Sequence, residues 1–181
     1  SCNQGYTVDG EYKIKYYFTL SNNSTARDYH PTSLIKNIDL INNLETTFGN
    51  GCILSVDEVD VWSYPPFDYI NDPYPQDFDN SVINPDFINA TSSAIFNANA
   101  VSNLTLYPRQ EINVTFCVTV NPLCNGRPNP TPSGSGIDFD NTINVTSDRG
   151  NDTDSLLLED FHTTEAVVTA GLHVPEFYAP R

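Results

Sequence analysis

The clearest pattern in the chain runs from Glu111 to Pro122. There Ile112, Val114, Phe116, Val118 and Val120 alternate with Asn113, Thr115, Cys117, Thr119 and Asn121. A period of two marks a strand with one buried face. The same phase recurs from Glu11 to Asn22, where Tyr12, Ile14, Tyr16, Phe18 and Leu20 share one parity and Lys13, Lys15, Tyr17 and Thr19 the other. It recurs again from Ile137 to Thr146. Leu34 to Leu44 carries Ile38 and Leu40 at strand spacing, followed by Leu44 and Phe48 around a Gly49-Asn50-Gly51 turn. Cys52 to Trp62 resumes a strand with Val59 and Val61 in phase, and its acidic break at Asp57-Glu58 suits a bulge. Leu104–Tyr107 and Glu111–Pro122, joined by Pro108-Arg109-Gln110, read as a hairpin.

Between these strands the pattern disappears. Tyr64 to Phe87 holds Pro65, Pro66, Pro73, Pro75 and Pro85, and prolines remove ladder donors, so it reads as a long Pro/Tyr-rich loop. Ala90 to Val101 is small and polar, with Ile95 and Phe96 as core anchors. Asn125 to Gly136 is a Pro/Gly/Ser loop, and His162 to Ala170 reads as a last strand. No helical period is sustained over three turns. Short strands between turn clusters predict an all-β sandwich. Residues 1–170 form that domain in this reading, and 171–181, with two prolines and the anchors Leu172, Phe177 and Tyr178, form an extended tail or a linker between subunits or repeats.

Asparagine adds a second layer. Seven acceptors for N-linked glycans occur, at Asn22, Asn23, Asn89, Asn103, Asn113, Asn144 and Asn151. A glycan is bulky and must point to solvent. Strand parity puts Asn103, Asn113 and Asn144 on the wet face of their strands, which permits modification without proving it. N-linked glycans are therefore an expected adornment.

Charge narrows the partners. The 181 residues carry 23 acidic and 8 basic side chains, a net charge of −15. That excludes the basic footprint of nucleic-acid binding or of anionic membrane surfaces. No apolar run approaches the roughly 18 residues of a membrane span. With no Met and no signal-like leader, the chain reads as a mature or excised segment. Few lysines and many Asn, Asp, Thr, Pro and Tyr residues fit an extracellular surface protein. Cys2, Cys52, Cys117 and Cys124 form no Cys-x-x-Cys knuckle, so disulfides in an oxidising compartment are expected rather than zinc. Four cysteines allow three pairings. A local Cys117–Cys124 bridge across the Asn121-Pro122 turn, leaving Cys2–Cys52, is the expected one.

The order of these features resembles a known repeat. Tyr12-Lys13-Ile14-Lys15-Tyr16-Tyr17-Phe18-Thr19-Leu20-Ser21-Asn22 looks like the opening strand of the conserved repeat domain called domain of unknown function 11. Ile38 to Gly49, Asn84-Pro85-Asp86-Phe87, Leu104 to Glu111 and Asn141 to Thr146 are similar to its later motifs. Asn42 stands where that family usually has Asp, and Arg109 where it usually has Gly. The likeness runs from about residue 6 to 165. It implies an immunoglobulin-like β-sandwich with structural or adhesive roles at cell surfaces, whose partners are copies of itself or neighbouring repeats. It carries over no catalytic residue.

Chemistry beyond this is sparse. Asp148-Arg149-Gly150-Asn151-Asp152-Thr153-Asp154 reads as an acidic turn whose Asp148, Asn151, Asp152 and Asp154 supply oxygens suited to calcium, the one cofactor the sequence offers a place for. It lacks the closing Glu of an EF-hand, and a solvated acidic loop is the plainer alternative. There is no nucleophile elbow, zinc-protease helix or phosphate-cradling glycine loop, so no enzyme is expected. Trp62, Tyr64, Phe67, Tyr69 and Tyr74 form an aromatic loop that could stack on surface glycans, or simply cover one end of the sandwich. The sequence thus predicts an extracellular building block of a filament or multi-repeat surface protein, with a carbohydrate-binding module as the rival.

Overall fold

A computed structural model describes residues 2, 5–7, 9, 11–24, 34–64, 78–89, 92–121, 124, 139–158 and 168–174, of which 6, 139–140, 152–158 and 168–174 are described by their backbone alone. The architecture is all-β, with strands mostly in antiparallel sheets. The central ladder pairs β2 (Tyr12–Asn22) with β7 (Glu111–Val120), from Tyr12 opposite Val120 to Ser21 opposite Glu111. That register brings the two apolar parities face to face. Ile14 lies opposite Val118, Tyr16 opposite Phe116, Phe18 opposite Val114 and Leu20 opposite Ile112. All eight are buried, and burying each such side chain contributes about 1.5–3 kcal/mol.

The other flank of β7 carries β5 (Ile53–Tyr64). Its ladder slips between Asp57 and Asp60, where Glu58 takes φ +51°, so the acidic break is a bulge. On the far side of β2 lie β1 (Gly5–Tyr6), antiparallel, and β10 (Val168–Val174), parallel. A second sheet has the order β4-β8-β9, built from β4 (Asp39–Asn42), β8 (Phe139–Ser147) and β9 (Gly150–Leu158). Leu40, Ile143 and Val145 of that sheet join the β2, β5 and β7 residues in one hydrophobic cluster. Within it Phe116 meets Tyr16 at 5.2 Å and, edge-on, Phe87 at 5.1 Å between ring centroids.

Among the described residues there are three one-turn α-helices: α1 (Leu44–Phe48), α2 (Pro85–Ile88) and α3 (Ala98–Val101). Each is too short to show a helical period. Each starts on an asparagine, Asn43, Asn84 and Asn97, whose side chain accepts from a backbone N–H of the first turn. Part of the asparagine excess thus serves capping. Leu44 and Phe48, four apart, are the buried side of α1 rather than turn residues. Ile95 and Phe96 are core anchors as expected, at 0% and 1% exposure.

Two expectations are corrected. Leu104–Tyr107 and Glu111–Pro122 are not a hairpin, because β6 (Thr105–Leu106) pairs with β3 (Ile35–Lys36) instead. Between β6 and β7 the chain turns at Tyr107–Gln110, where Arg109 takes φ +64° and its N–H donates to Asn22 O at 2.7 Å. The boundary at 170 also falls inside a strand. Gly171 to Val174 continue β10 along β2, while 175–181 lie outside the described residues. Among the described residues no helix is long and apolar enough to cross a membrane.

Candidate functional site

The acceptor asparagines separate by burial. Asn113 sits in the row Thr19–Asn113–Trp62 across β2, β7 and β5. Its parity is away from the core, as expected, yet it is only 2% exposed. The Tyr17 and Trp62 rings, 6.1 Å apart, occupy the same outer face. The Tyr17 hydroxyl donates to Asn113 Oδ1, and Thr19 Oγ1 donates to the same atom at 2.9 Å. Asn113 Nδ2, the atom a glycan would occupy, is enclosed with no partner among the described residues. The solvent-facing reading of Asn113 is therefore corrected: alternation gives the face, but large neighbours on that face can seal it.

Asn22 is likewise buried. Its Nδ2 donates to Leu106 O at 3.0 Å and its Oδ1 accepts from Ser24 N at 3.1 Å, so the side chain ties β2 to β6. Asn103 is exposed, but in the turn after α3 rather than in a strand. Asn89, at the C-cap of α2, and Asn151, at the start of β9, are exposed; Asn23 and Asn144 are half-buried.

The cysteines are all paired, as Cys2–Cys117 and Cys52–Cys124. The expected Cys117–Cys124 and Cys2–Cys52 bridges are thereby corrected. From Cys117 the strand stays extended to Val120, a rise of about 10 Å, beyond the Cα separation a disulfide tolerates. At that end β7 lies beside Cys52. Asn121 N donates to Cys52 O at 2.8 Å and Cys124 N to Asn121 O at 3.1 Å, folding Cys124 back over Cys52. Cys117, in mid-strand, is left for the N-terminal Cys2. Close by, Cys2 N donates to Glu58 Oε2 at the bulge, at 3.0 Å.

The acidic turn is also redrawn. Only Asp148 and Arg149 form the turn; Asn151, Asp152 and Asp154 belong to β9, opposite Thr146, Val145 and Ile143. Asp148 Oδ1 accepts from Lys36 N at 2.7 Å, and Arg149 Nε donates to Leu34 O at 3.0 Å, so the turn clasps β3. Among the described residues no cluster of three or more His, Cys, Asp or Glu side chains could hold a metal.

The aromatic residues divide. Trp62 and Tyr64 are ladder residues of β5, opposite Asn113 and Glu111, and not part of a loop. Trp62 is half-buried against Tyr17, while Tyr64 is 59% exposed. Phe67, Tyr69 and Tyr74 lie outside the described residues. Tyr17 and Thr19, which shape this face, escaped the sequence reading; they carried a signal only in sharing Asn113's outward parity.

The two edges of the large sheet differ. Along β5, Val61 N donates to Asn80 Oδ1 at 2.7 Å and Phe78 N to Ser63 Oγ at 2.9 Å, so the 78–82 segment covers the upper half. The bulge, with exposed Asp57, Glu58 and Asp60, interrupts the lower half. Bulges and edge charges are how sheets discourage strand addition. The β2 edge instead pairs with β1 at Tyr12–Lys13 and with β10 from Tyr16 to Asn22. Comparison with protein-family models, curated proteins and solved structures finds no match to this chain. The likeness to the repeat family therefore rests on its short motifs alone.

Proposed function

We propose that this chain is an extracellular structural building block, an immunoglobulin-like β-sandwich that carries N-linked glycans and assembles through its terminal segments into a surface filament or a multi-repeat surface protein. One observation supports the reading: the seven-residue strand β10 pairs in parallel along the β2 edge. An edge strand such as this can pair with its own sheet or with that of a neighbour, since the ladder hydrogen bonds are the same. The opposite edge, bulged and covered, discourages such addition. Two disulfides fit an oxidising compartment. Exposed Asn89, Asn103 and Asn151 are the acceptors a glycan could use without unfolding.

The test is to remove residues 168–181 from the natively assembled protein. The truncated chain keeps β2 paired to β7, so it is expected to remain folded by circular dichroism while its polymers disappear from electron micrographs. Intact filaments from the truncated chain would overturn the reading.

A further inference from the structure

Among the described residues, Asn50 is the only asparagine followed by glycine. The pair fills the two central positions of the turn between α1 and β5, which Cys52 N closes on Gly49 O at 3.1 Å. Gly51 takes φ +73°, a left-handed value that turns of this length assign to glycine. Both residues are exposed, and a Cβ built on Gly51 would meet nothing within 4 Å. Gly51 N donates to no acceptor among the described residues.

These are the conditions for a reaction within the chain. The carboxamide carbon of any asparagine lies within reach of the next residue's nitrogen. Attack is ordinarily blocked by burial, or by a side chain on the next residue that crowds its nitrogen. Both blocks operate elsewhere in the protein. Asn22, Asn42 and Asn113 are buried, exposed Asn89 and Asn103 are followed by Ala90 and Leu104, and Asn84 precedes Pro85, which has no N–H. At Asn50 neither block is present.

We propose that Asn50 is a site of spontaneous covalent modification, at which the neutral carboxamide becomes a carboxylate. Gly51 N attacks Asn50 Cγ, the side-chain nitrogen leaves with the displaced proton as ammonia, and a five-membered succinimide closes. Water then opens the ring at one of its two carbonyls. Opening at Cγ gives aspartate; opening at the main-chain carbonyl gives isoaspartate, with the backbone rerouted through the side chain. Water is the only co-reactant, and no electrons are exchanged. Either product adds one negative charge to the turn. Isoaspartate also lengthens by one methylene a backbone turn that holds the Gly49 cap of α1 and the bridged Cys52. The Asn50 main-chain oxygen lies 3.9 Å from both sulfurs of the Cys52–Cys124 bridge, so in isoaspartate the new carboxylate starts beside that bridge. The site involves neither β10 nor any glycan acceptor.

The test is to age the oxidised full chain, folded and in urea side by side, at neutral and at mildly alkaline pH. After ageing, each sample is reduced and mapped by mass spectrometry, which separates Asn50 from Asn125-Gly126, a pair outside the described residues. In the folded chain the Asn50 peptide is expected to yield two isomers, each one mass unit heavier, one of them methylated by an isoaspartate methyltransferase. Conversion should be several-fold faster than at any other described asparagine. It should also speed up with pH, since attack requires the Gly51 nitrogen to lose its proton. Asn50→Gln, which would have to close a six-membered ring, should leave that peptide unconverted over the same period. Conversion at Asn50 in urea but not in the folded chain would overturn the proposal, because the turn would then shield the amide. So would equal rates at the other exposed asparagines, or equal conversion in Asn50→Gln.

Discussion

Removing the Cys52–Cys124 bridge tests the tertiary arrangement most directly. The bridged residues are 72 apart in sequence, and a loop of that length is worth about 4.4 kcal/mol of unfolded-state entropy. The intact Cys2–Cys117 bridge gives the unfolded chain a second route between positions 52 and 124, which shortens the effective loop. That brings the expected loss to about 4 kcal/mol, a large share of the 5–15 kcal/mol typical of a folded domain. The perturbation is the double variant Cys52→Ala/Cys124→Ala, since a single substitution would leave a reactive thiol. Urea unfolding followed by the fluorescence of Trp62, the single tryptophan, gives the stability difference, with peptide mapping of the unreduced parent beside it. The mapping is expected to return Cys2 linked to Cys117 and Cys52 linked to Cys124. A loss under about 1 kcal/mol would refute the loop-closure argument. A recovered Cys117–Cys124 peptide would refute the fold at the end of β7.

Three further outcomes are expected. Tyr16 is fully buried and its hydroxyl has no partner among the described residues, so Tyr16→Phe should leave stability unchanged or raise it by up to about 1 kcal/mol. Burial pushes the Tyr16 pKa upward from 10.0, so the folded state keeps a proton that the unfolded state releases, and stability falls as pH rises above that value. The Phe variant should lose less stability than the parent over that alkaline range; parallel curves would contradict the burial. Glycopeptide mapping of native material should find sugar at some of Asn89, Asn103 and Asn151 and none at Asn22 or Asn113. A glycan on Asn113 would mean that Tyr17 and Trp62 do not cover it.

Much of the fold was legible because strand phase is a local property. The alternations in β2, β7 and β8 name their core residues directly, and the acidic break at Asp57-Glu58 announces its bulge. The one-turn helices were not legible, since four or five residues cannot display a period, though Asn43, Asn84 and Asn97 stood at their caps. The site residues were legible only as residue types. Asn113 and Asn151 carry the same motif, yet one is enclosed and the other exposed.

By itself, then, the sequence determined the all-β class, the apolar buried parity of β2 and β7, the even set of cysteines and the net acidic charge, all of which follow from side-chain chemistry and spacing along one strand. Only the tertiary structure decided which strands pair, which cysteines meet, where β10 docks and which asparagines are covered. Each of those depends on register between segments far apart in sequence. Cys2 finds Cys117 across 115 residues, and Tyr17 covers Asn113 across 96, separations at which spacing along the chain carries no information about distance.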